Sequence, residues 1–355
     1  MFLLIYVDDI IIVSSVPATI TELLQLLGTD FAVKDFGSLH YFLGIEVIPV
    51  KDGLLLSQQK YIRDLLNKTN MADAKLVSSP MSSSSALFAF TGDPMEDPSL
   101  YRSTVGSLQY LSLTRPDLAF AVNRVCQFMH RPTKLHWQAV KRILRYLKHS
   151  ITHGLLLHKN SSTSIQAYSD ADWAGCLDDR RSTGAYCVFL GNNLISWSSR
   201  KQSTVSRSST EAEYKSVANT AAELLWLCSL LQELGVSRPN PPKLWCDNIG
   251  ATYLSVNPVF HARTKHVAID FHFVWELIAS KFLEIHFVAS SDKIADVLTK
   301  PLVSKRFQIL CFKLNVRSLP LNLREDISAQ HTPSVIQSLK NPSECADRLP
   351  VDQTS

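Results

Sequence analysis

The amino-acid sequence predicts an α/β fold, and three patterns in its C-terminal half indicate this class. Residues 165–169 alternate apolar and polar side chains, which is typical of a half-buried strand. From Thr210 to Leu231 apolar residues recur at helical spacing, which predicts a long amphipathic helix. Over residues 165–302 such patterns follow the order strand, strand, strand, helix, strand, helix, helix, strand, helix. Strands that alternate with helices in this way indicate a sheet covered by helices.

The overall composition predicts a soluble intracellular protein and excludes several classes. The 355 residues are 46% hydrophobic and 19% charged, which is enough for two domains and a buried core. The net charge of +4 is too small to identify a partner. Seven cysteines without a C-x-x-C pair argue against a disulfide framework and a zinc knuckle. Because no apolar run reaches about 18 residues and the apolar N-terminus has no basic leader, we predict neither a membrane span nor a signal peptide.

The first element is a hairpin predicted at residues 1–13. Two short apolar runs meet at Asp8 and Asp9, which indicates a buried β-hairpin with two carboxylates at its tip. Buried carboxylates are costly unless a cation neutralises them. The two acids therefore either hold a metal ion or, alternatively, lie in solvent at the tip.

A break in the pattern and then a helical segment follow. Residues 78–98 contain four consecutive serines and two Asp-Pro steps, which are typical of a surface linker. Residues 101–159 have helical periodicity, with one helix that opens at Pro116 and another after Pro132.

The helical segment is strongly basic. Between Asp117 and Asp170 there is no acidic residue. The same interval holds eight basic ones, namely Arg124, Arg131, Lys134, Lys141, Arg142, Arg145, Lys148 and Lys159. Lys141, Arg145 and Lys148 fall on one helix face at i, i+4 and i+7. A charged face is commonly only a solvated one, but so uneven a distribution favours contact with the phosphate backbone of a nucleic acid, without sequence preference.

Acidic residues end two of the predicted strands. Asp170 ends the strand that begins at Ile165, and Asp172 follows two residues later. Taken alone, such a pair is most often a solvated turn. Asp247 ends the predicted strand 243–247 and enters a helix, which is a common position for site residues in α/β folds.

Further acids lie on two predicted helices. Glu213 falls in the first turn of the long helix, where a Thr-x-x-Glu spacing also fits a capping box. Glu211 points away from Glu213 around the helix, so one site does not use both, and the sequence leaves open which of the two it uses. Asp292 and Asp296 share a face of a final helix capped by Ser291. Spacing alone leaves the choice between these two open.

Residues Tyr6-Val7-Asp8-Asp9 resemble the Y-x-D-D box of reverse transcriptases, in which the acids hold the magnesium ions of the polymerase. Residues 31–46 and 54–61 resemble the palm segment of copia-type LTR retrotransposon polymerases, and residues 101–106 and 114–117 resemble the connecting region of that family. A further metal-binding Asp and the fingers precede the box in the family. We therefore do not expect polymerase activity from this chain alone.

The C-terminal half resembles the RNase H domain of the same retrotransposons. The matching segments, in order, are 168–175, 179–184, 195–197, 208–214, 245–248, 263–267 and 295–302. The resemblance implies an RNase H-like mixed sheet with flanking helices, preceded by a truncated α+β reverse-transcriptase palm and a helical connection segment. The bounds we predict are 1–80 for the palm remnant, 81–100 for a linker, 101–160 for the connection, 161–316 for the RNase H-like domain and 317–355 for a disordered tail.

The resemblance also implies a site. Carried over residue by residue, it makes Asp170, Glu213, Asp247 and Asp296 the catalytic, metal-binding set. Two Mg²⁺ ions, with Mn²⁺ as a substitute, would relieve the repulsion between the acids, activate water and stabilise the leaving oxygen. The implied substrate is an RNA–DNA hybrid whose RNA strand is distinguished by its 2′-hydroxyls.

Several aromatic residues and histidines are less informative. The loop before the last helix lacks the histidine that many RNase H enzymes carry there, and His286 lies on the preceding strand. We predict that His266 and His272 pack or cap. Trp173 and Trp197 are candidates for contact with sugars, with a place in the core as the alternative.

The leading prediction is therefore a fragment of a copia-type Pol polyprotein whose RNase H cleaves the RNA strand of RNA–DNA hybrids, attached to an incomplete reverse transcriptase. The alternative is a catalytically silent relic or a co-opted nucleic-acid-binding protein. We also expect association with other retroelement proteins and none with a membrane.

Overall fold

Strands and helices alternate along the computed structural model, which describes residues 1–83, 87–159, 162–237, 240–257 and 267–319. The helices are α1 (Pro17–Asp30), α2 (Gln59–Lys68), α3 (Pro98–Leu111), α4 (Ala119–Cys126), α5 (Lys134–His149), α6 (Ser209–Glu233), α7 (Ile249–Val256), α8 (Ala268–Ala279) and α9 (Ser304–Lys313). The strands are β1 (Phe2–Tyr6), β2 (Asp9–Val13), β3 (Tyr41–Phe42), β4 (Ile45–Val50), β5 (Gly53–Ser57), β6 (His153–His158), β7 (Ile165–Asp172), β8 (Thr183–Leu190), β9 (Asn193–Lys201), β10 (Lys243–Cys246), β11 (Glu284–Phe287) and β12 (Val316–Ser318). Two 3-10 helices cover Pro116–Leu118 and Ile294–Leu298. Among the described residues, no helix is both long enough and apolar enough to cross a membrane.

A five-stranded mixed sheet forms the C-terminal half, in the order β11-β10-β7-β8-β9. Strand β8 pairs antiparallel with both β7 and β9, whereas β10 runs parallel to β7 and β11. The apolar stripe of α6, including the fully buried Val217 and Leu224, packs with Ala167 and Val188 of this sheet. The predicted α/β class, a mixed sheet with flanking helices, is therefore confirmed.

A second five-stranded sheet, in the order β12-β6-β5-β4-β3, joins segments that are far apart in the sequence. All of its pairings are antiparallel. Strand β6 pairs with β5 on one side and with β12, which follows α9, on the other. This sheet therefore contains strands from both sides of the domain boundaries that the sequence predicted at residues 160 and 316. Those boundaries remain a prediction.

The predicted helices of the basic segment form one core with the mixed sheet. Leu108 of α3, Val125 of α4 and Leu144 of α5 are fully buried and belong to the same cluster as Cys187 of β8. Apolar side chains at helical spacing thus bury their stripe against the sheet, as amphipathic helices do.

The prediction that residues 78–98 form a surface linker is wrong in part. Met81 and Leu87 are 7% and 8% exposed and belong to this same core. Pro94 forms an antiparallel bridge with Thr133, immediately before α5. The polar composition of the segment conceals these few apolar anchors, which hold its described parts against the helices.

The N-terminal hairpin forms as predicted but is exposed, so the prediction that it is buried is wrong. Strands β1 and β2 pair from Phe2↔Val13 to Tyr6↔Asp9, and Val7 takes a φ of 51° in the turn. Ile5 is 62% exposed, and neither core cluster of the described residues includes a residue of these strands. A two-residue turn joins the strands, so their pairing rests on local backbone hydrogen bonds.

Candidate active site

Strand β7, in the centre of the mixed sheet, carries Asp170. This aspartate is fully buried. Ser216 of α6 donates from Oγ to the Asp170 carbonyl at 2.7 Å, which fixes the helix against this point of the strand. Thr299 Oγ1 donates to Asp170 Oδ2, which holds one carboxylate oxygen in place.

Helix α6 brings Glu213, which is 6% exposed, to the same region. The capping box that would use Glu213 is not formed. Ser208 is the N-cap and accepts from the Glu211 backbone N at 3.2 Å, while Glu211 Oε2 accepts from the Arg207 backbone N at 2.8 Å. Because Glu211 takes part in the cap, Glu213, two residues further on, is left to face the sheet.

Asp247 directly follows β10, the parallel neighbour of β7, so it reaches the same end of the sheet as Asp170. Its Oδ2 accepts from Ser290 Oγ at 3.1 Å. The next residue, Asn248, caps α7 by accepting from the Ala251 backbone N at 2.9 Å. The acid is thus held between a strand end and a helix start, as the sequence predicts.

Lys293 lies between these three acids, and the sequence did not predict it. Its Nζ contacts Asp170 Oδ1 and Asp247 Oδ1 and lies 3.2 Å from Glu213 Oε1. The lysine is fully buried. A buried ammonium is tolerated where carboxylates pair with it. The only signal in the sequence is its position between Asp292 and the Ala-Asp of the predicted final helix.

The predicted final helix with Asp292 and Asp296 on one face is wrong. Residues Ile294–Leu298 form a 3-10 helix, and Lys293 is its N-cap residue in an extended conformation. Asp292 lies outside this turn, 3.5 Å from Lys313 Nζ. Asp296 turns toward the site, where Lys300 Nζ lies 2.9 Å from its Oδ1 and 3.5 Å from Asp170 Oδ2. Because the helix begins only after the extended Lys293, Asp292 is not part of it, and the i, i+4 alignment of the two acids expected of one α-helix is lost.

The crowding of these carboxyl groups changes their pKa values. Burial and the negative charge of Asp170 raise the pKa of Glu213 to about 8. The same two causes raise the pKa of Asp296. Burial would also raise the pKa of Asp170, but the charges of Lys293 and Lys300 lower it below its ordinary value. The cluster contains four acids and two lysines, and this excess of acids favours binding of a divalent cation.

The oxygen donors of this cluster fit a hard divalent cation. Glu213 Oε2 is buried and has no hydrogen-bond partner among the described residues. Ligand atoms of Glu213, Cys246 and Asp247 lie within 4.8 Å of one another, and the sequence did not suggest Cys246. Burial and the charge of Glu213 raise the pKa of the Cys246 thiol to about 12, so it stays protonated at neutral pH. The carboxylates are therefore the ligands suited to Mg²⁺.

The other predicted metal-binding acids, Asp8 and Asp9, lie at the tip of the exposed hairpin. In the described part of the chain, no further His, Cys, Asp or Glu joins them in a group of three that could hold a metal ion. The structure thus does not bring them into the cluster around Asp170.

The predicted nucleic-acid-binding residues Lys141, Arg145 and Lys148 all lie on α5. Arg145 Nε donates to the carbonyl of residue 75 at 2.7 Å, and Lys148 Nζ donates to that of residue 74 at 3.0 Å. These two cations therefore fasten an N-terminal segment to the helix. Lys141 is exposed, with its Nζ 5.9 Å from the centre of the Trp137 ring. Nucleic-acid contact through this face remains a prediction, and Lys141 is its most accessible member.

The remaining aromatic residues and histidines fall in several environments. Trp173 is 52% exposed and is accessible to a ligand, whereas Trp197 is half-buried against the core. His286 lies on β11, as predicted, and His272 lies on α8. His266 is outside the described residues.

Comparison with known proteins places these features in a family context. Residues 1–83 match the family described as reverse transcriptase (RNA-dependent DNA polymerase). Over 319 residues the chain is 53% identical to a retrovirus-related Pol polyprotein from transposon RE1 of Arabidopsis thaliana, with coverage of 90% of this chain and 22% of the polyprotein. It is 51% identical over 226 residues to an uncharacterized mitochondrial protein of Arabidopsis thaliana, with coverage of 64% and 94%. It is 30% identical over 226 residues to a Ty5-1 transposon protein of Saccharomyces cerevisiae, with coverage of 63% and 73%. The chain thus spans about a fifth of the RE1 polyprotein.

Solved structures with similarity to the chain include an RNase H1 and a viral protease-reverse transcriptase. One is the RNase H1 LC11, isolated from compost, with a TM-score of 0.30 and 13% identity over 39% of this chain and 93% of that one. The other is the foamy viral protease-reverse transcriptase in complex with an RNA/DNA hybrid, with a TM-score of 0.46 and 11% identity over 81% of this chain and 36% of that one.

Proposed function

Because the chain belongs to the copia-type retrotransposon Pol polyproteins, we propose that it cleaves the RNA strand of RNA–DNA hybrids at one site. We call Asp170, Glu213, Asp247 and Asp296 the four-acid site. The observation that carries the proposal is that four separate elements, β7, α6, the end of β10 and a 3-10 helix, bring these acids together. Like charges repel, so a fold that gathers carboxylates in this way supports a site for cations.

The four-acid site would hold Mg²⁺, with Mn²⁺ as a substitute. When bound, the divalent ions would activate the attacking water and stabilise the leaving 3′ oxygen of the phosphodiester. The chain itself holds the ligands in place. Thr299 restrains one oxygen of Asp170, and Ser290 Oγ restrains Asp247 Oδ2 at 3.1 Å. Ligands restrained in this way need little reorganisation before the reaction.

The proposed partner, the hybrid, would bind through its phosphates at the rim of the site. Lys300 Nζ and Arg306 Nη2 lie 2.9 Å and 4.0 Å from oxygens of Asp296, and the Lys300 side chain is 42% exposed. In this proposal these cations would contact phosphates beside the scissile one. Phosphate contacts orient a nucleic acid, whereas contacts to 2′-hydroxyls would distinguish the RNA strand. The family resemblance also supports an association with other retroelement proteins.

The experiment that tests the proposal is cleavage of a hybrid labelled on each strand, with the full chain and Mg²⁺. We expect cutting of the RNA strand only, and none when EDTA replaces the metal. The matched substrate is a DNA duplex of the same sequence, which should remain intact. Cutting that persists in EDTA, or equal cutting of both duplexes, would contradict the proposed activity.

One observation favours a second function, nucleic-acid binding without cleavage. The Lys293 ammonium already occupies the space between Asp170, Glu213 and Asp247. A lysine that stayed there would compensate the acids in place of a metal ion. Tight binding of the hybrid by the folded chain, with no cutting at any Mg²⁺ concentration, would support this function instead.

A prediction about binding concerns the exposed basic face of α5. We expect Lys141→Ala to weaken hybrid binding and to reduce the slope of log K against log[salt] by about one, because each phosphate contact releases a counterion. The measurement is a titration of hybrid by fluorescence anisotropy at several salt concentrations. Lys68→Ala, which removes an exposed lysine at the end of α2, is the matched control. An equal slope of log K against log[salt] for both variants would show that Lys141 on α5 does not contact the hybrid.

A further inference from the structure

Lys293 is the feature of the four-acid site that the proposed function leaves unexplained. The cation is fully buried and contacts three of the four acids, Asp170, Glu213 and Asp247. We propose that Lys293 is a built-in counter-ion that competes with the divalent cation for these acids and leaves the cluster when the metal binds. This inference rests on the proposed metal-dependent function and adds a control on metal binding to it.

The contacts of the ammonium explain why it competes. A lysine ammonium has three N–H donors and no acceptor, and here it faces one oxygen from each of three carboxylates. These are Asp170 Oδ1, Glu213 Oε1 and Asp247 Oδ1. Mg²⁺ binds carboxylate oxygens at about 2.0–2.1 Å and prefers an octahedral set of oxygens. An ion bound to these atoms would lie next to the ammonium, and two cations at that distance repel.

The surroundings of Lys293 provide it with a route out of the cluster. Residues 289–292, directly before it, are all exposed, whereas Ala295 two positions later is fully buried. The chain thus passes from solvent into the core at Lys293, with exposed residues before it and a buried residue after it. A lysine on its flexible four-carbon stem can therefore turn to solvent without opening the core. Asp292, whose side chain is 66% exposed, is one of the exposed residues before Lys293.

Lys300 provides an internal contrast, because it is compatible with a bound metal. Its Nζ lies 2.9 Å from Asp296 Oδ1 and 3.5 Å from Asp170 Oδ2, and its side chain is 42% exposed. It approaches the acids from the rim, whereas Lys293 is enclosed by them. When the metal binds, Lys300 would therefore stay at the rim, whereas Lys293 would be displaced from the centre of the cluster.

The test is a titration of the full chain with Mn²⁺, followed by electron paramagnetic resonance of the free ion. If the cluster is free of Lys293 for a tenth of the time or less, Lys293→Gln should tighten Mn²⁺ binding at least about tenfold. Lys313→Gln, which removes a lysine that pairs with Asp292 and whose side chain is 36% exposed, is the matched control and should bind like the parent. Equal Mn²⁺ affinity of parent and Lys293→Gln would overturn the competition. No Mn²⁺ binding by either protein would overturn the proposed function as well.

Thermal unfolding separates competition from a merely structural role. Without metal, Lys293→Gln should unfold at a lower temperature than the parent, because the acids have lost their counter-ion. With saturating Mn²⁺ the difference should disappear. A deficit that is equal with and without Mn²⁺ would show that Lys293 is structural only.

A measurement on the unsubstituted chain covers the case in which Lys293→Gln does not fold. Reductive methylation followed by peptide mass spectrometry reports how accessible each lysine is. We expect Lys293 to be protected without metal and to be methylated once Mn²⁺ is bound, while Lys313 reacts equally in both states. Protection of Lys293 that persists with Mn²⁺ bound would overturn the displacement.

Discussion

Asp170→Asn is expected to abolish Mg²⁺-dependent cleavage of the hybrid and to leave hybrid binding nearly unchanged. Asparagine keeps an acceptor for the Thr299 hydroxyl but removes the negative charge that a divalent cation requires. Because a bound metal contributes several kcal/mol of transition-state stabilisation, we expect the rate to fall by about a thousandfold or more. The measurement is the initial rate of RNA-strand cutting at saturating hybrid, with binding followed separately.

Asp292→Asn is the control for this experiment, because the sequence alone left Asp292 as a candidate for the same site. The structure places its carboxylate 3.5 Å from Lys313 Nζ and 66% exposed, away from Asp170. We expect it to cleave at the parental rate, and Asp296→Asn to lose activity. Unchanged cleavage by Asp170→Asn, or loss in Asp292→Asn alone, would refute the four-acid site.

Asp117→Asn is expected to cause the largest loss of stability. Arg115 and Asp117 are both fully enclosed and their side chains pair at 2.7 Å. Arg115 also donates to Ser150 Oγ at 2.7 Å, and the Tyr146 hydroxyl donates to Asp117 at 2.6 Å. The substitution leaves a buried guanidinium without its counter-charge. We expect the free energy of unfolding in urea to fall by about 3–5 kcal/mol at pH 7.

The pH dependence of this loss has a defined sign. Burial opposes ionisation of Asp117, but the charge and hydrogen bonds of Arg115 more than offset it, so the pKa of Asp117 is lowered from its ordinary value of 3.8. Its contribution is therefore fully present above the unfolded-state pKa and is lost as the pH falls through the folded-state pKa. The difference between parent and variant should be constant near neutral pH and should shrink below pH 3.8.

Asp93→Asn is the matched control for stability. It removes a carboxylate 3.7 Å from Lys134 Nζ whose side chain is 83% exposed, so its expected cost is about 1 kcal/mol or less. Equal losses for Asp93→Asn and Asp117→Asn would contradict the importance that we assign to the buried pair.

The positions of site residues could be predicted from the sequence where a single strand or helix determines them. Alternation from Ile165 places Asp170 on a strand, and a strand that ends before a helix places Asp247 at the edge of the sheet. Both depend on local periodicity, which is the strongest signal in a single sequence. Glu213 was also predicted on the long helix, although the capping role was assigned to the wrong residues.

The features that the sequence did not predict depend on distant contacts. Lys293 was missed because nothing near it in the chain shows that three distant acids surround it. The 3-10 helix after it has too few residues to give a clear period. Arg145 and Lys148 were interpreted as a solvated or nucleic-acid-binding face, yet both donate to carbonyls of residues 74–75. Periodicity shows which side of a helix is polar, but not what covers it.

The antiparallel pairing of β12 with β6 has a consequence for the order of folding. Residues 316–318 complete a sheet whose first strands lie before residue 60, and their pairing with β6 closes a loop of about 160 residues between Leu155 and Val316. Contacts at such separation form slowly. During synthesis the edge of β6 therefore stays open until residue 318 has left the ribosome. An unpaired edge strand is a template for association with other chains. Nascent chains and chains truncated before residue 316 should share this route to aggregation, and a chaperone that covers the β6 edge should protect both.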